Sequence, residues 1–176
     1  MGETQGHDLP AGEGEQALRM IITGGTFDKE YDALKGELSF SDSHLPGIMR
    51  TVRCTLPIIM EINQLTDSLD MTEEDRATIA DSCADAAEKL IVITHGTDTM
   101  TVTAELLAAR NFEKTIVLTG AMVPYSVRGS DALFNLGCAI SAVQTLGEGV
   151  YICMNGRIFP AGAVRKDRDR GVFVDI

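Results

Sequence analysis

The stretch Leu90-Ile-Val-Ile-Thr-His-Gly-Thr-Asp-Thr-Met100 decides the fold. Five apolar or β-branched residues run directly into His95-Gly96-Thr97-Asp98-Thr99, a cluster of small and polar groups that fills no core. A continuous apolar run of this length is a strand buried on both faces, the kind found in parallel sheets. Such a strand delivers the residues at its carboxyl end into the crevice where open α/β sheets bind ligands.

Further runs of the same kind flank it. "ALRMIIT" (17–23), "TLPIIMEI" (55–62), "KTIVLTG" (114–120) and "GVYICMN" (149–155) read as strands, with "KLIVIT" (89–94) in the middle. Between them, "TEEDRATIADSCADAAEKL" (72–90) has Ile79, Cys83, Ala86, Ala87 and Leu90 on one helical face, with Thr72 as N-cap and acids in the first turn. "TMTVTAELLAARN" (99–111) and "SDALFNLGCAISAVQTL" (130–146) read as two more helices. Strands alternating with helices imply a three-layer α/β/α domain with a mainly parallel sheet. Residues 1–16, rich in Gly and Glu and without periodicity, read as a flexible leader, and 17–176 as one domain. The stretch "TFDKEYDALKGELSFSDSHLPG" (26–47) breaks the rhythm and reads as a loop or small hairpin that could cover something. The end, from Gly156, lacks helical period.

Composition narrows the function. Twenty-six acidic residues against fifteen basic ones give a formal charge of −11, and no basic stripe is present to attract a phosphate backbone, so nucleic acid is not expected as a partner. The N-terminus has neither the positive start nor the apolar stretch of a signal peptide, and no segment is long enough to span a membrane, so the expected location is the cytoplasm. Cys54, Cys83, Cys138 and Cys153 form no CxxC or Cys/His pair; they read as buried free thiols, and no metal is expected.

Two loops at strand ends carry the chemistry: Thr23-Gly24-Gly25-Thr26 after the first strand and His95–Thr99 after the third. Each can bring backbone N–H groups and a threonine hydroxyl close to a ligand. A tight turn would also explain "TGGT", and Asp98 or Thr99 capping the following helix would also explain "HGTDT". A phosphate loop fits less well, because neither GxxxxGK[ST] nor GxGxxG is present.

Taken together, "TGGTFD" (23–28), "SLDM" (68–71), "ITHGTDTM" (93–100), "KTIVLTGAMVPYSVRGSDALFNL" (114–136) and "MNGRIFPAGAVRKDRD" (154–169) closely resemble the L-asparaginase family, from about Leu18 onward. The resemblance is to the short, single-domain bacterial members, in which the N-terminal domain is the whole enzyme. It implies hydrolysis of L-asparagine to L-aspartate and ammonia through a threonine acyl-enzyme, without cofactor. By that resemblance Thr26 is the nucleophile and Tyr31 its assistant, while Thr97, Asp98 and Lys166 form a triad. Either threonine could attack first. Ser68, Gly25 and Gly96, with Thr97 and Asp98, would bind the substrate, and backbone N–H groups near Gly25 and Thr97 would stabilise the oxyanion.

The chain departs from the long members at Leu69, where they carry glutamine, and as a short member it is expected to do without their C-terminal domain. Altered choice between asparagine and glutamine is therefore expected. The partners implied are a small amino-acid amide and a second copy of the chain, as dimer or tetramer, with "ALFNLGCAISAVQTL" a candidate for subunit contact. The rival readings are an amino-acid-binding regulatory module without turnover and an amidase for a larger amide.

Overall fold

The computed structural model describes residues 16–176, so the leader expected over 1–16 lies, but for Gln16, outside the described residues. Strand β1 (Leu18–Gly24) runs through a 3-10 turn (Thr26–Asp28) into a hairpin of β2 (Glu30–Asp32) and β3 (Glu37–Ser39), followed by a short helix α1 (Leu45–Thr51). Then come β4 (Ile58–Thr66), α2 (Glu73–Asp85), β5 (Leu90–Thr94), α3 (Met100–Ala109), β6 (Thr115–Thr119), α4 (Ala132–Val143) and β7 (Gly149–Met154). Three short strands close the chain: β8 (Arg157–Pro160), β9 (Val164–Asp167) and β10 (Val172–Asp175).

The main sheet has the order β4-β1-β5-β6-β7-β8, parallel except for β8, which pairs antiparallel with β7. Alternation along each strand divides the side chains between two cores. Ile21, Ile91, Ile93, Ile116 and Leu118 face α2 and α3 with Ile79, Cys83, Ala104 and Leu107. Met20, Ile22, Val92 and Val117 face α1 and α4 with Leu45, Ile48, Leu136 and Ala139. This is the expected three-layer arrangement. Because β4 and β5 lie on opposite sides of β1, the chain reverses direction across the sheet at β1, which is where such folds open a ligand crevice.

Three local outcomes differ from the sequence reading. Helix α2 ends at Asp85 rather than reaching Leu90: Ala86 turns extended, and Lys114 donates to the carbonyls of Cys83, Ala84 and Ala86 that the helix end leaves open. Thr72 does cap the start, in a reciprocal box with Asp75. Helix α1 contains Pro46 and Gly47, which disguise it, although proline is tolerated in a first turn. Finally, of the four free thiols only Cys83 and Cys153 are buried; Cys54 and Cys138 are half-buried.

Candidate active site

The loops after β1, β4 and β5 meet at the carboxyl edge of the sheet. Thr23 and Thr94 end adjacent strands, and the Thr23 hydroxyl donates to the Thr94 carbonyl at 2.8 Å. Gly25 then turns with φ of 70°, and a Cβ there would stand 2.4 Å from the Cα and N of Gly96. A Cβ on Gly96 would in turn stand 2.5 Å from Cβ and Oγ of Ser68. Only glycine at both positions lets three backbones approach this closely. Gly25, Gly96 and Ser68, the residues expected to bind the substrate, therefore pack directly against one another. Thr26, half-buried, follows immediately in the 3-10 turn.

Ser68 is almost wholly buried, yet among the described residues its Oγ has no hydrogen-bond partner. Buried hydroxyls are nearly always paired, so an unpaired one beside glycine backbone is suited to receive a ligand group. The Ser68 carbonyl, by contrast, is held: Thr99 Oγ1 donates to it at 2.8 Å and accepts from Arg76 at 3.1 Å. Thr99 does occupy the N-cap position of α3, but its hydroxyl makes no cap bond. Neither threonine nor aspartate caps that helix; the hydroxyl is spent on joining the β4 and β5 loops. Arg76, buried on α2, also donates to the carbonyls of Met71 and Thr72, completing the brace.

Thr97 is buried, and its Oγ1 lies 2.8 Å from Lys166 Nζ. Lys166 also donates to Asp98 Oδ1 at 3.0 Å. Arg168 reaches the same Oδ1 at 3.3 Å from a more exposed position. Thus Thr97, Asp98 and Lys166 come together across 69 positions of sequence. The placement of Lys166 follows from strand alternation in β9: Val164 is buried and Lys166, two residues on, shares its face, with Phe173 opposite it in β10 also buried. The β9–β10 hairpin is anchored through Asn155, whose Oδ1 accepts the Phe173 N–H at 2.9 Å and whose own N–H donates to Asn135 Oδ1 at 3.1 Å. Asn135, fully buried on α4, donates to the Gly120 carbonyl and to Asp131.

His95 is fully buried and stays out of the site. Its Nδ1 lies 2.8 Å from the Gly96 carbonyl and its Nε2 2.9 Å from Thr103 Oγ1. Because a carbonyl can only accept, Nδ1 carries the proton and Nε2 accepts from Thr103. Burial drives its pKa down to about 4, so it is a neutral support.

Two expected features take a different form. The Gly25 N–H donates to the Thr66 carbonyl at 3.0 Å, so it is not free to stabilise an oxyanion. Tyr31 lies in β2 with 65% of its surface exposed, and no hydrogen bond joins it to Thr26 among the described residues. The irregular stretch after Thr26 is indeed a hairpin plus α1. Among the described residues no group of three or more His, Cys, Asp or Glu side chains is placed to hold a metal ion. A cleft between the C-terminal end of α3 and the start of β7 and another beside α1 include none of Thr26, Ser68, Thr97, Asp98 and Lys166, which lie instead around the crevice between the loops.

A family model described as asparaginase, N-terminal, matches residues 17–172. The chain belongs to the asparaginase family. Within that family it is 33% identical over 162 residues to the L-asparaginase of Thermococcus kodakarensis, covering 88% of this chain and 49% of that protein. It is 32% identical over 160 residues to a glutamyl-tRNA(Gln) amidotransferase component of the same organism, covering 84% of this chain and 35% of that one. The solved structure of the thermostable L-asparaginase from Thermococcus kodakarensis superimposes with a TM-score of 0.79 at 28% identity, over 91% of this chain and 51% of that one. The chain therefore spans about half or less of the length of these asparaginase-family relatives.

Proposed function

We propose that the protein hydrolyses the side-chain amide of L-asparagine, releasing ammonia through a threonine acyl-enzyme. The observation that carries this reading is Lys166, whose ammonium addresses Thr97 Oγ1 and Asp98 Oδ1 together at the crevice mouth. A pure binding module has no need of a lysine aimed at a buried hydroxyl. A threonine hydroxyl is too weak an acid to attack unaided and needs a proton acceptor within about 3 Å. In this reading Thr26 attacks and its proton passes through the Thr97 hydroxyl, which exchanges protons with Lys166, to the departing ammonia; water then attacks the acyl-enzyme and its proton returns to the Thr26 oxygen by the same path. Asp98 holds the lysine in register. Both cations meet Asp98 on Oδ1, so its second oxygen is the one assigned to the substrate ammonium.

The unpaired Ser68 hydroxyl is assigned to the α-carboxylate. With the Gly25 N–H committed to Thr66, backbone at Thr97 becomes the candidate for the oxyanion. Tyr31 assists only once the β2–β3 hairpin folds toward Thr26, because in its present position it is exposed. We further infer that residues 17–176 form one catalytic domain and that the enzyme works as a homo-oligomer in the cytoplasm; the outer face of α4 presents Leu133 and Phe134 to solvent.

A second reading, an amidase for a larger amide, is favoured by the near-equal identity to an amidotransferase component and by Leu69, 62% exposed beside Ser68. One assay separates them: ammonia release by the purified protein from asparagine, from glutamine and from a peptide ending in asparagine, with Thr26→Ala and Thr97→Ala alongside. Release from free asparagine, lost in both variants, supports the proposal. Binding without release points to the regulatory module, and turnover that survives both substitutions removes the site assignment.

A further inference from the structure

We propose that Lys29 and Asp67 form a clasp that positions Thr26 and Ser68 relative to each other across the crevice. The inference rests on the reading of Thr26 as nucleophile and Ser68 as carboxylate ligand. Lys29 follows the Thr26 turn directly: its N–H donates to the Thr26 carbonyl at 3.3 Å, and its own carbonyl accepts the Ser126 hydroxyl at 3.0 Å. Its ammonium pairs with Asp67 Oδ2, and the Phe40 ring lies 5.7 Å from the same nitrogen. Asp67 immediately precedes Ser68. Its other oxygen, Oδ1, accepts the Leu69 N–H at 3.0 Å, and its carbonyl accepts the Asp70 N–H at 3.0 Å, which folds the chain around Ser68.

One ion pair therefore joins the loop after β1 to the loop after β4, and Ser126 ties both to the loop after β6. Its side chains are 20% and 27% exposed. Pairs of that exposure contribute little to global stability. Their use here is geometric. The two loops hold opposite ends of one substrate, and a misplacement of about 1 Å between reacting groups can cost about a hundredfold in rate.

The pair also guards the triad. Although partial burial opposes it, donation from Leu69 and the charges of Lys29 and Lys166 hold the Asp67 carboxyl below its usual range. Asp67 therefore lies in the field of both lysines. With Lys29 removed, its carboxylate keeps the attraction of Lys166 and competes with Thr97 and Asp98 for that ammonium. This predicts an asymmetry that simple loosening of the fold does not: Lys29→Met is more damaging than Asp67→Asn, and adding Asp67→Asn to Lys29→Met recovers part of the loss.

The test is steady-state ammonia release from asparagine by the wild type, Lys29→Met, Asp67→Asn and the double variant, with hydrogen exchange of the ligand-free proteins followed over peptides covering 24–29 and 66–71. Lys29→Met should lower kcat about tenfold with less than about a threefold change in KM, because alignment rather than binding is lost. The double variant should be no slower than Lys29→Met, and both peptides should lose protection together in each single variant. Unchanged kcat in Lys29→Met, multiplicative losses in the double variant, or exchange rising in one loop alone each overturns the clasp. If the wild type releases no ammonia, the proposed function fails by itself, and the coupled exchange of the two loops then decides the clasp without it.

Discussion

Acid should weaken this protein through a residue that takes no part in its chemistry. His95 has no solvent exposure, its Nδ1–H is given to the Gly96 carbonyl, and its Nε2 is occupied as an acceptor by Thr103. Burial lowers its pKa from 6.5 to about 4, with Arg76 adding to the same effect against the Gly96 bond. The unfolded chain thus binds a proton at a pH where the folded one does not. With more protons bound in the unfolded state, stability rises with pH across the interval between the two values. The contribution is complete above about pH 6.5 and is lost as the pH falls toward 4.

The interval corresponds to about 3 kcal/mol in all, of which about 2 kcal/mol is gone at pH 5. That is a large share of a typical domain's stability. Asp28 works in the opposite sense. Burial raises its pKa despite the His44 N–H and Ser43 hydroxyl it accepts, so its share of stability falls as the pH rises through the carboxylate range. The measurement must therefore isolate His95: urea unfolding at several values between pH 7 and pH 4.5, for the wild type and for His95→Gln, which cannot titrate. The difference between the two free energies should shrink by about 2 kcal/mol on going from pH 7 to pH 5. Parallel curves over that range would refute the assignment of His95 as a buried neutral imidazole.

Two further substitutions probe the site and its support. Lys166→Met should lower kcat for ammonia release by about a thousandfold, within the range of a lost acid–base group, while leaving the urea midpoint within error. Asn135→Ala should cost about 3 kcal/mol in urea unfolding, because the Gly120 carbonyl and the Asn155 N–H both lose a buried partner; a loss below about 1 kcal/mol would show that the Asn155 link does not depend on it.

The strands were legible because a two-sided parallel sheet demands uninterrupted apolar runs, and "LIVIT" or "TIVLT" can be little else. Helix ends were less so. "DAAEKL" continues an apolar period that α2 abandons at Asp85, since the carbonyls there are satisfied by Lys114 from the start of β6, a partner that no local pattern announces. Helix α1 was hidden behind Pro46-Gly47, and the "VRKD" of β9 alternates over only four residues, too few to stand out as a strand. The same alternation, Val164 then Lys166 on one face with Phe173 opposite, was the available signal for an inward lysine.

Motif reading named Thr97, Asp98 and Lys166, which the fold brings together, and missed the residues that brace the surrounding loops. Thr97 and Asp98 stand behind a strand and announce themselves; Arg76, Thr99, Asn135, Asn155 and the Lys29–Asp67 pair do not, because each acts on a backbone or side-chain group distant in sequence. Buried polar groups must find partners wherever the fold supplies them. In this chain the partners are drawn from α2, α4 and the loops, so the crevice is shaped by residues whose types, taken singly, read as surface. His95 shows the converse. The titratable side chain most suggestive of chemistry is the one that burial makes inert, and its value to the site is the fixed position it gives Gly96, against which Gly25 and Ser68 are packed.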